Sequence, residues 1–357
     1  MTFIRKYKGN KYHKVRLYNC YLQFKEMDKN KLIREFQEKK ENYNRLGNNI
    51  VEALRTFLKE ADIPFLEIYS RVKKFDSFYE KTKRKGYKNP FIDIEDICGV
   101  RIICYYASDI KRIDEIIRKE FLVIEQEDKS DLLGLKEFAY RSNHYIVTIN
   151  DSWLAAPNYR KLKGLKAEIQ TRTVLMHAWA EVEHKLNYKS DAQVPDKFQR
   201  KLFRLSAKFE EADEQFEELR IGIQEYKETI NDNIAKSNSF NLKQDFNLET
   251  FKAYIKYKFP DDSENWKEDD FSLFFDNFDE DGENFVSIEK TIEKMQPHYE
   301  QIHKDLVTHK YEGFDLPKTL LLTWFSLYVT NPKRKGELEF DESAWDIVLK
   351  KWIEKKL

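Results

Sequence analysis

Short apolar segments alternate with amphipathic segments between residues 99 and 173, and this alternation limits the chain to few architectures. GVRIICYY (99–106) has the composition of a buried strand, and the following ASDIKRIDEIIRKEF has the spacing of an amphipathic helix. Further short strands are predicted at FLVIEQ, HYIVTI and KAEIQTRT. Upstream, the pattern predicts a helix over residues 31–58 and another that Pro64 opens and that runs through Lys83. Strands that alternate with helices indicate an α/β domain.

The last of these strands has two unlike faces. Alternate side chains of a strand share a face, so one face has a carboxylate, an amide and a guanidinium: Glu168, Gln170 and Arg172. The other face has residues that suit a core: Ala167, Ile169 and Thr171. A solvated strand is free to have such a polar face, and a site for metal, water and phosphate would use the same face. The strand alone leaves both interpretations open.

The composition indicates a globular, intracellular protein. The 357 residues suffice for two domains, and the formal net charge of zero argues against a protein that coats polyanions. The three cysteines, Cys20, Cys98 and Cys104, have no paired spacing, as expected in a reducing compartment. No apolar run approaches membrane-spanning length, and the N-terminus has no signal-peptide pattern. We therefore expect a cytoplasmic protein with no membrane partner.

Charge and polarity divide the chain into four segments. Residues 1–30 form a basic arm, either a nucleic-acid-binding arm or a solvated terminus. Residues 31–230 form the main domain, and the polar residues 231–245 form a linker. Residues 246–357 form a second, mainly helical unit for regulation or interaction, with twelve acids and one lysine from residue 260 to residue 289.

A heptad repeat ends the main domain. Apolar residues recur with 3–4 spacing over four heptads: Leu202, Leu205, Phe209, Ala212, Phe216, Leu219, Ile223, Tyr226 and Ile230. Packing within its own domain and an interface in a homo-oligomer explain this seam about equally well.

A cationic segment, RVKKFDSFYEKTKRKGYKNP, is the first candidate for phosphate binding. On a helix, Lys74, Ser77, Lys81 and Lys85 would share a stripe, with Arg71 close by. Several cations and a hydroxyl are what a triphosphate needs, although a solvated basic face has the same pattern. The chain has no GxxxxGK[ST] motif, which excludes a P-loop.

Acidic and aromatic residues complete a candidate site. Asp96 at the start of a strand is suited to hold Mg²⁺ on phosphates, with Arg101 in the same strand. Glu168 would supply a second oxygen ligand or a base for a hydroxyl nucleophile. Tyr140 offers a flat face for a nucleobase and Lys136 a phosphate contact, although a tyrosine at a sheet edge packs in the same way.

Two further segments resemble metal-binding motifs only in part. His177, Glu181 and His184 share a helical face, but neither an HExxH motif nor a nearby cysteine supports a metal site there. In DNFDEDGENFVSIE, the EF-hand register set by Gly282 puts Ile288 where calcium needs a bidentate acid. We expect neither site to bind metal.

Four ordered blocks resemble the synthetase domain of the RelA/SpoT family of alarmone synthetases: RVKKFDSFYEK, DICGVRIICYY, YRSNHYIV and AEIQTRTVLMHAWAEVEHKLNYK. The resemblance covers residues 45 to 230. It implies a nucleotidyltransferase-like mixed β-sheet flanked by helices. It also implies an ATP-dependent pyrophosphokinase, which transfers pyrophosphate from ATP to a ribose 3′-hydroxyl. The acceptor would be GTP or GDP, and the product (p)ppGpp.

The resemblance also implies roles for individual residues. The ATP-binding residues would be Arg71, Lys73, Ser77, Lys81 and Arg101. Asp96 and Glu168 would be the catalytic and Mg²⁺-binding residues. The acceptor-binding residues would be Lys136, Tyr140, His144, Gln170, Arg172 and His184. The spacing argument favours Lys74 over Lys73, whereas the family pattern favours Lys73.

Two features keep other functions open. The family usually has Asn-Gly before the tyrosine, whereas this chain has Phe138-Ala139, which puts guanine selection in doubt. The resemblance extends to a toxin branch that pyrophosphorylates the 3′ end of tRNA and is restrained by a fused antitoxin or phage-sensing domain, here residues 246–357. A dead synthetase fold that only binds RNA or nucleotide is a third reading. The chain has no His-Asp dipeptide, so we expect no hydrolase activity.

Overall fold

The structure is a computed structural model that describes residues 29–128, 143–187, 195–263, 266–280, 282–310, 318–330 and 343–355. The chain divides into two compact units, Met1–Arg220 and Ile221–Leu357. This boundary falls within one long helix, so the polypeptide passes from the first unit to the second without a break in helical structure.

The described residues of the first unit form five strands and the helices around them. The strands are β1 Phe65–Val72, β2 Cys98–Cys104, β3 Leu122–Asp128, β4 Asn143–Thr148 and β5 Ala167–Thr173. The helices are α1 Lys29–Glu60, α2 Phe75–Lys85, α3 Pro90–Asp93, α4 Ala107–Glu120, α5 Val174–Asn187 and the long helix α6 Asp196–Ser237, which continues into the second unit.

The strands form one mixed sheet in the order β1-β2-β5-β4-β3. Only β2 and β5 are parallel neighbours, and the other three pairs are antiparallel. Helix α1 packs on β1 and β2, and α4 packs on β5. The core lies between these helices and one face of the sheet, where Val100, Ile169 and Tyr145 are fully buried neighbours. The fold is thus the predicted mixed sheet flanked by helices.

The strand predictions in this unit are confirmed, and one helix prediction is wrong. Each predicted strand from GVRIICYY to KAEIQTRT is a strand, and the helix between β2 and β3 is present. The helix predicted from Pro64 to Lys83 is instead strand β1, a short connection and helix α2. The local pattern of β1 does not alternate strictly, and antiparallel pairing with β2 determines its conformation.

One glycine reflects the close approach of α1 to the sheet. A Cβ atom at Gly47 would lie 2.7 Å from the Cβ of Ser70 in β1. Any larger side chain at this position would push the helix away from the strand. The residue is therefore a packing requirement of this helix–sheet contact.

The second unit is mainly helical in its described residues, as predicted. Its helices, apart from the end of α6, are α7 Leu248–Lys258, α8 Pro260–Ser263, α9 Glu268–Glu280, α10 Phe285–Met295, α11 Tyr299–Thr308, α12 Lys318–Thr330 and α13 Ala344–Glu354. Two apolar clusters form its core, one around Phe251, Phe274 and Phe285 and the other around Phe325 and Trp352. Residues 231–237 of the predicted linker belong to α6. No described helix is both long enough and apolar enough to cross a membrane.

Candidate active site

The register of the sheet gathers polar side chains on the face opposite the core. Tyr69 in β1 lies beside Arg101 in β2, Arg101 beside Gln170 in β5, and Gln170 beside His144 in β4. The adjacent row consists of Arg71, Gly99, Glu168 and Ile146. These rows explain the two faces of β5, whose residues alternate between buried and partly exposed. The polar face predicted for this strand is therefore part of a polar surface that spans four strands.

A cavity of about 610 Å³ opens on this surface. Its lining includes eight of the predicted site residues: Arg71, Lys73, Ser77, Asp96, Arg101, Glu168, Gln170 and His184. The other lining residues are Tyr69, Val72, Lys74, Gly99, Val100 and Lys185. Residues that lie far apart in the sequence thus converge on one opening, because β1, β2 and β5 are neighbours in the sheet.

Asp96 lies at the cationic end of the cavity. Its Oδ2 atom accepts a hydrogen bond from Lys73 Nζ at 2.8 Å and lies 2.9 Å from Lys81 Nζ. Burial works against ionisation, but the hydrogen bonds and charges of the two lysines outweigh it and lower the pKa of Asp96. The other oxygen, Oδ1, is buried without a hydrogen-bond partner among the described residues. A buried carboxylate oxygen with no partner is suited to a hard cation.

Glu168 is the end of a hydrogen-bonded chain on β5. Its two oxygens lie 2.9 Å from His144 Nδ1 and 2.8 Å from Gln170 Nε2, and Arg172 donates in turn to the Gln170 oxygen at 3.2 Å. Burial and the charge of Asp96 raise the pKa of Glu168, but His144 and Gln170 lower it further, so the net shift is downward. Glu168 is therefore ionised at neutral pH, and its orientation is set by neighbouring strands.

Arg101 forms a separate cluster in the floor of the cavity. Its Nη1 atom donates to the hydroxyl of Tyr69 at 2.8 Å and to Glu181 Oε1 at 2.9 Å. Burial and the charge of Arg101 lower the pKa of Arg172 to about 10, so these two guanidiniums form a strongly positive part of the site. Glu181, which shares a helical face with His177 and His184, thus pairs with an arginine.

The cationic segment differs from the predicted helical stripe. Arg71 lies on β1, and Lys73 and Lys74 lie in the connection between β1 and α2. Ser77, which lines the cavity, and Lys81, which pairs with Asp96, lie on α2. Both lysines of the connection line the cavity, but Lys73 is the one paired with Asp96. The two lysines thus differ in their contacts, and the assignment of Lys73 to ATP stays a prediction.

The described part of the chain has no complete set of protein ligands for a metal ion. No group of three or more His, Cys, Asp or Glu side chains there is arranged to hold a metal ion. A cation at Asp96 would consequently need oxygens from a bound phosphate or water as well as from protein.

Four residues of the predicted acceptor region are outside the described residues. These are Lys136, Phe138, Ala139 and Tyr140. The roles given to the site residues remain predictions, although their positions are now known for the described ones.

Tyr69, Gly99 and Lys185 line the cavity but were missed by sequence reasoning. Tyr69 lies in a segment predicted to be helical, so its strand neighbours could not be inferred. Gly99 is next to Glu168 in the sheet register, where its lack of a side chain leaves the cavity floor open. Lys185 directly follows His184, but adjacent helical residues lie about 100° apart, so the face of His177, Glu181 and His184 did not predict it.

A family model and two known proteins that are similar to this chain point to the same family. Residues 70–193 match the family model described as a region found in RelA / SpoT proteins. GTP pyrophosphokinase YjbM of Bacillus subtilis (strain 168) is 35% identical over 182 residues, which are 49% of this chain and 82% of that protein. GTP pyrophosphokinase YwaC of the same organism is 36% identical over 136 residues, 37% of this chain and 62% of that protein.

A solved structure is also similar to about half of the chain. Small alarmone synthetase 1 from Bacillus subtilis has 31% sequence identity, and the alignment covers 54% of this chain and 98% of that structure with a TM-score of 0.46.

Proposed function

The chain belongs to the RelA/SpoT family of pyrophosphotransferases, and we propose that it transfers pyrophosphate from ATP to the ribose 3′-hydroxyl of GTP or GDP. The observation that supports this most directly is the meeting of two ionised carboxylates with several cations at one cavity. The names of both curated relatives as GTP pyrophosphokinases agree with it.

The ATP triphosphate would lie at the cationic end. Lys73 and Lys81 both point at Asp96, and Ser77 lies in the first turn of α2, whose free backbone N–H groups favour an anion. Phosphoryl transfer depends mainly on charge neutralisation and in-line positioning, which these groups are suited to supply. A Mg²⁺ ion on the phosphates would neutralise further charge, and Asp96 Oδ1 is the buried oxygen available for it.

Glu168 would accept the proton of the attacking hydroxyl. The 3′-oxygen forms a bond to the β-phosphorus, the bond from that phosphorus to the oxygen bridging to the α-phosphorus breaks, and AMP leaves. The lowered pKa of Glu168 keeps the carboxylate free of a proton before the reaction. His144 and Gln170 would hold it in place, because each bonds one of its oxygens.

The 3′ end of tRNA is a second candidate acceptor. Phe138-Ala139 replaces the Asn-Gly usual in the family, and the basic arm would suit an RNA backbone. In this version the second unit would restrain the enzyme until a protein trigger binds it. The absence of a His-Asp dipeptide supports synthesis without hydrolysis in either version.

Labelled ATP tests both versions. Purified full-length protein receives ATP labelled at the γ-phosphate and Mg²⁺, with GTP, GDP or deacylated tRNA offered separately. Label in a guanosine nucleotide supports the first proposal, and label on tRNA supports the second. Glu168→Gln is the control and is expected to lower transfer to either acceptor by about 10³-fold. Failure of the wild-type protein to label any acceptor, with and without residues 246–357, would count against an active enzyme.

A further inference from the structure

Arg101 is less exposed than the two lysines beside the catalytic carboxylate. Its side chain is 11% exposed, whereas those of Lys73 and Lys81 are 22% and 25% exposed. Both lysines pair with a carboxylate that belongs to the predicted site. Arg101 instead contacts Tyr69 and Glu181, which lie outside the set of predicted site residues. These two partners therefore need an explanation of their own.

Tyr69 contacts the guanidinium from the neighbouring strand. It lies directly beside Arg101 in the antiparallel register of β1 and β2. Its hydroxyl accepts a hydrogen bond from Nη1 at 2.8 Å, and the guanidinium carbon lies 5.6 Å from the centroid of its ring. This distance is within the range of a cation–π contact. Tyr69 thus contacts the guanidinium by both hydroxyl and ring, and it lines the cavity as well.

Glu181 contacts the same nitrogen from helix α5. This helix begins directly after β5 and packs on β5 and β2. Glu181 Oε1 accepts a hydrogen bond from Arg101 Nη1 at 2.9 Å. Burial works against ionisation, but the hydrogen bond and charge of Arg101 outweigh it and lower the pKa of Glu181. The contact is therefore an ion pair at neutral pH, and it joins α5 to the floor of the cavity.

The two contacts leave part of the guanidinium available to a ligand. A guanidinium has five N–H donors, two of them on Nη1, and Nη1 has two acceptors here. The donors on Nε and Nη2 have no hydrogen-bond partner among the described residues. Because the group is planar and rigid, fixing one nitrogen restricts the directions of the other two. Arg101 is thus held at one edge while its remaining donors lie at a cavity that it lines.

A second guanidinium increases the need for Glu181. Burial lowers the pKa of Arg172 and the charge of Arg101 lowers it further, whereas the charge of Glu181 raises it. The two cations therefore repel each other, and Glu181 offsets part of this repulsion. Without its carboxylate, Arg101 would lose an ion pair and would face a like charge with less compensation.

We propose that Tyr69 and Glu181 are positioning residues, which hold Arg101 in the orientation that binds ATP. Neither residue would touch the reacting atoms, and both would act through the guanidinium. This inference rests on the function proposed above, in which Arg101 binds ATP. It also gives a role to the carboxylate between His177 and His184, which pairs with an arginine.

Steady-state kinetics of the full-length protein separate this role from a general structural one. Tyr69→Phe removes only a hydroxyl, and Glu181→Gln removes a charge while it keeps the size of the side chain. We expect each variant to raise the KM for ATP about tenfold, since each loses a hydrogen bond to a charged group. The kcat should change less than about twofold, because contacts equally strong in the ground state and the transition state affect KM alone.

The acceptor and two exposed residues supply the controls. The KM for the acceptor that the wild-type protein labels should stay within about twofold in both variants. Tyr105→Phe and Glu115→Gln make the same chemical changes at exposed positions of the first unit and should leave every constant at its wild-type value. A fall in kcat, or an equal rise in both KM values, with circular dichroism showing intact folding, would contradict a role confined to ATP.

A double-mutant cycle tests whether the two residues act through Arg101. In an Arg101→Ala background, Tyr69→Phe or Glu181→Gln should change kcat/KM for ATP by less than about twofold, because the group they position is gone. A further tenfold loss in that background would show that they act by another route and would overturn the inference. Normal KM values for ATP in both single variants would overturn it as well.

Failure of the proposed function would look different. A wild-type protein that labels no acceptor, and that shows no binding of α,β-methylene-ATP in calorimetry, would contradict the proposed reaction and this inference together. A wild-type protein that transfers pyrophosphate, with unaffected variants at positions 69 and 181, would contradict only the positioning role.

Discussion

Asp305 in the second unit and Asp96 in the first are both poorly exposed carboxylates with opposite surroundings. Asp305 accepts hydrogen bonds from Gln301 on one oxygen and from Lys351 and Trp352 on the other. Asp96 has both of its lysine partners on one oxygen, and the other is buried without a partner among the described residues. Both oxygens of Asp305 thus have hydrogen-bond donors from the protein, whereas Asp96 has one oxygen without a partner among the described residues and lines an open cavity.

A second pair of carboxylates gives the same contrast. Glu289 in the second unit accepts hydrogen bonds from Tyr254 and Lys258, which join α10 to α7. Glu168 in the first unit is also bonded on both oxygens, but its partners lie on strands and the group still lines the cavity.

Burial works against ionisation of Asp305, but its hydrogen bonds from Lys351, Trp352 and Gln301 lower its pKa, as the bonds from His144 and Gln170 do for Glu168. A lowered pKa therefore does not by itself distinguish a structural carboxylate from a functional one. Access to a cavity does distinguish them, and at Asp96 the oxygen without a partner among the described residues is a second difference.

Replacing the Glu168 carboxylate by an amide, in Glu168→Gln, should have the largest effect on activity. We expect the rate of pyrophosphate transfer to fall by about 10³-fold, since loss of a general base typically costs about 10² to 10⁴. The melting temperature should change little, because the amide retains the size of the side chain. Steady-state kinetics and calorimetry on the same preparation check both parts, and full activity would show that this carboxylate takes no part in the reaction.

Asp305→Ala should lower the stability of the protein and leave its activity unchanged, the reverse of Glu168→Gln. Trp352, Lys351 and Gln301 would lose their shared acceptor, and we expect the free energy of unfolding to fall by on the order of 2–4 kcal/mol. Below the melting transition, kcat should be unchanged. Urea titration measures the loss, and Asp276→Ala at an exposed position in the same unit is the control.

Gly99→Val tests whether the open floor of the cavity is needed. A Cβ atom at this position would meet nothing closer than 3.9 Å, so the fold should tolerate it. The larger side chain would project between Arg71 and Glu168, and we expect kcat/KM to fall by about 10- to 100-fold through lost substrate space. Gly99→Ala should have a much smaller effect, and equal losses in the two variants would argue against a steric cause.

Asp213→Asn should change how stability depends on pH. Burial and the nearby Glu217 raise the pKa of Asp213 to about 7, whereas an unfolded aspartate titrates near about 3.9. The folded state therefore binds more protons between these values, and its stability falls as pH rises through this window. We expect the variant to gain about 1–2 kcal/mol over wild type at pH 8 and little at pH 4. Glu214→Gln, an exposed charge on the same helix, is the control for net charge.

Much of the first unit could be predicted because its signals are local. The buried strand β2, the helix α4 and the two faces of β5 follow from periods of two and about 3.6 residues. The four ordered blocks also selected most residues that line the cavity. Strand β1 could not be predicted in this way, since its conformation depends on pairing with a strand thirty residues away.

By itself, the sequence determined the class of fold, the family and the set of charged residues from which the site is made. It also determined that α6 has an apolar seam, because heptad spacing is a property of the chain alone. Only the tertiary structure decided that Tyr69 and Gly99 belong to the cavity and that Lys73 pairs with Asp96. It also decided which side of α6 faces the domain. The physical reason is that local periodicity assigns a residue to a face, whereas strand register and helix docking determine what that face meets.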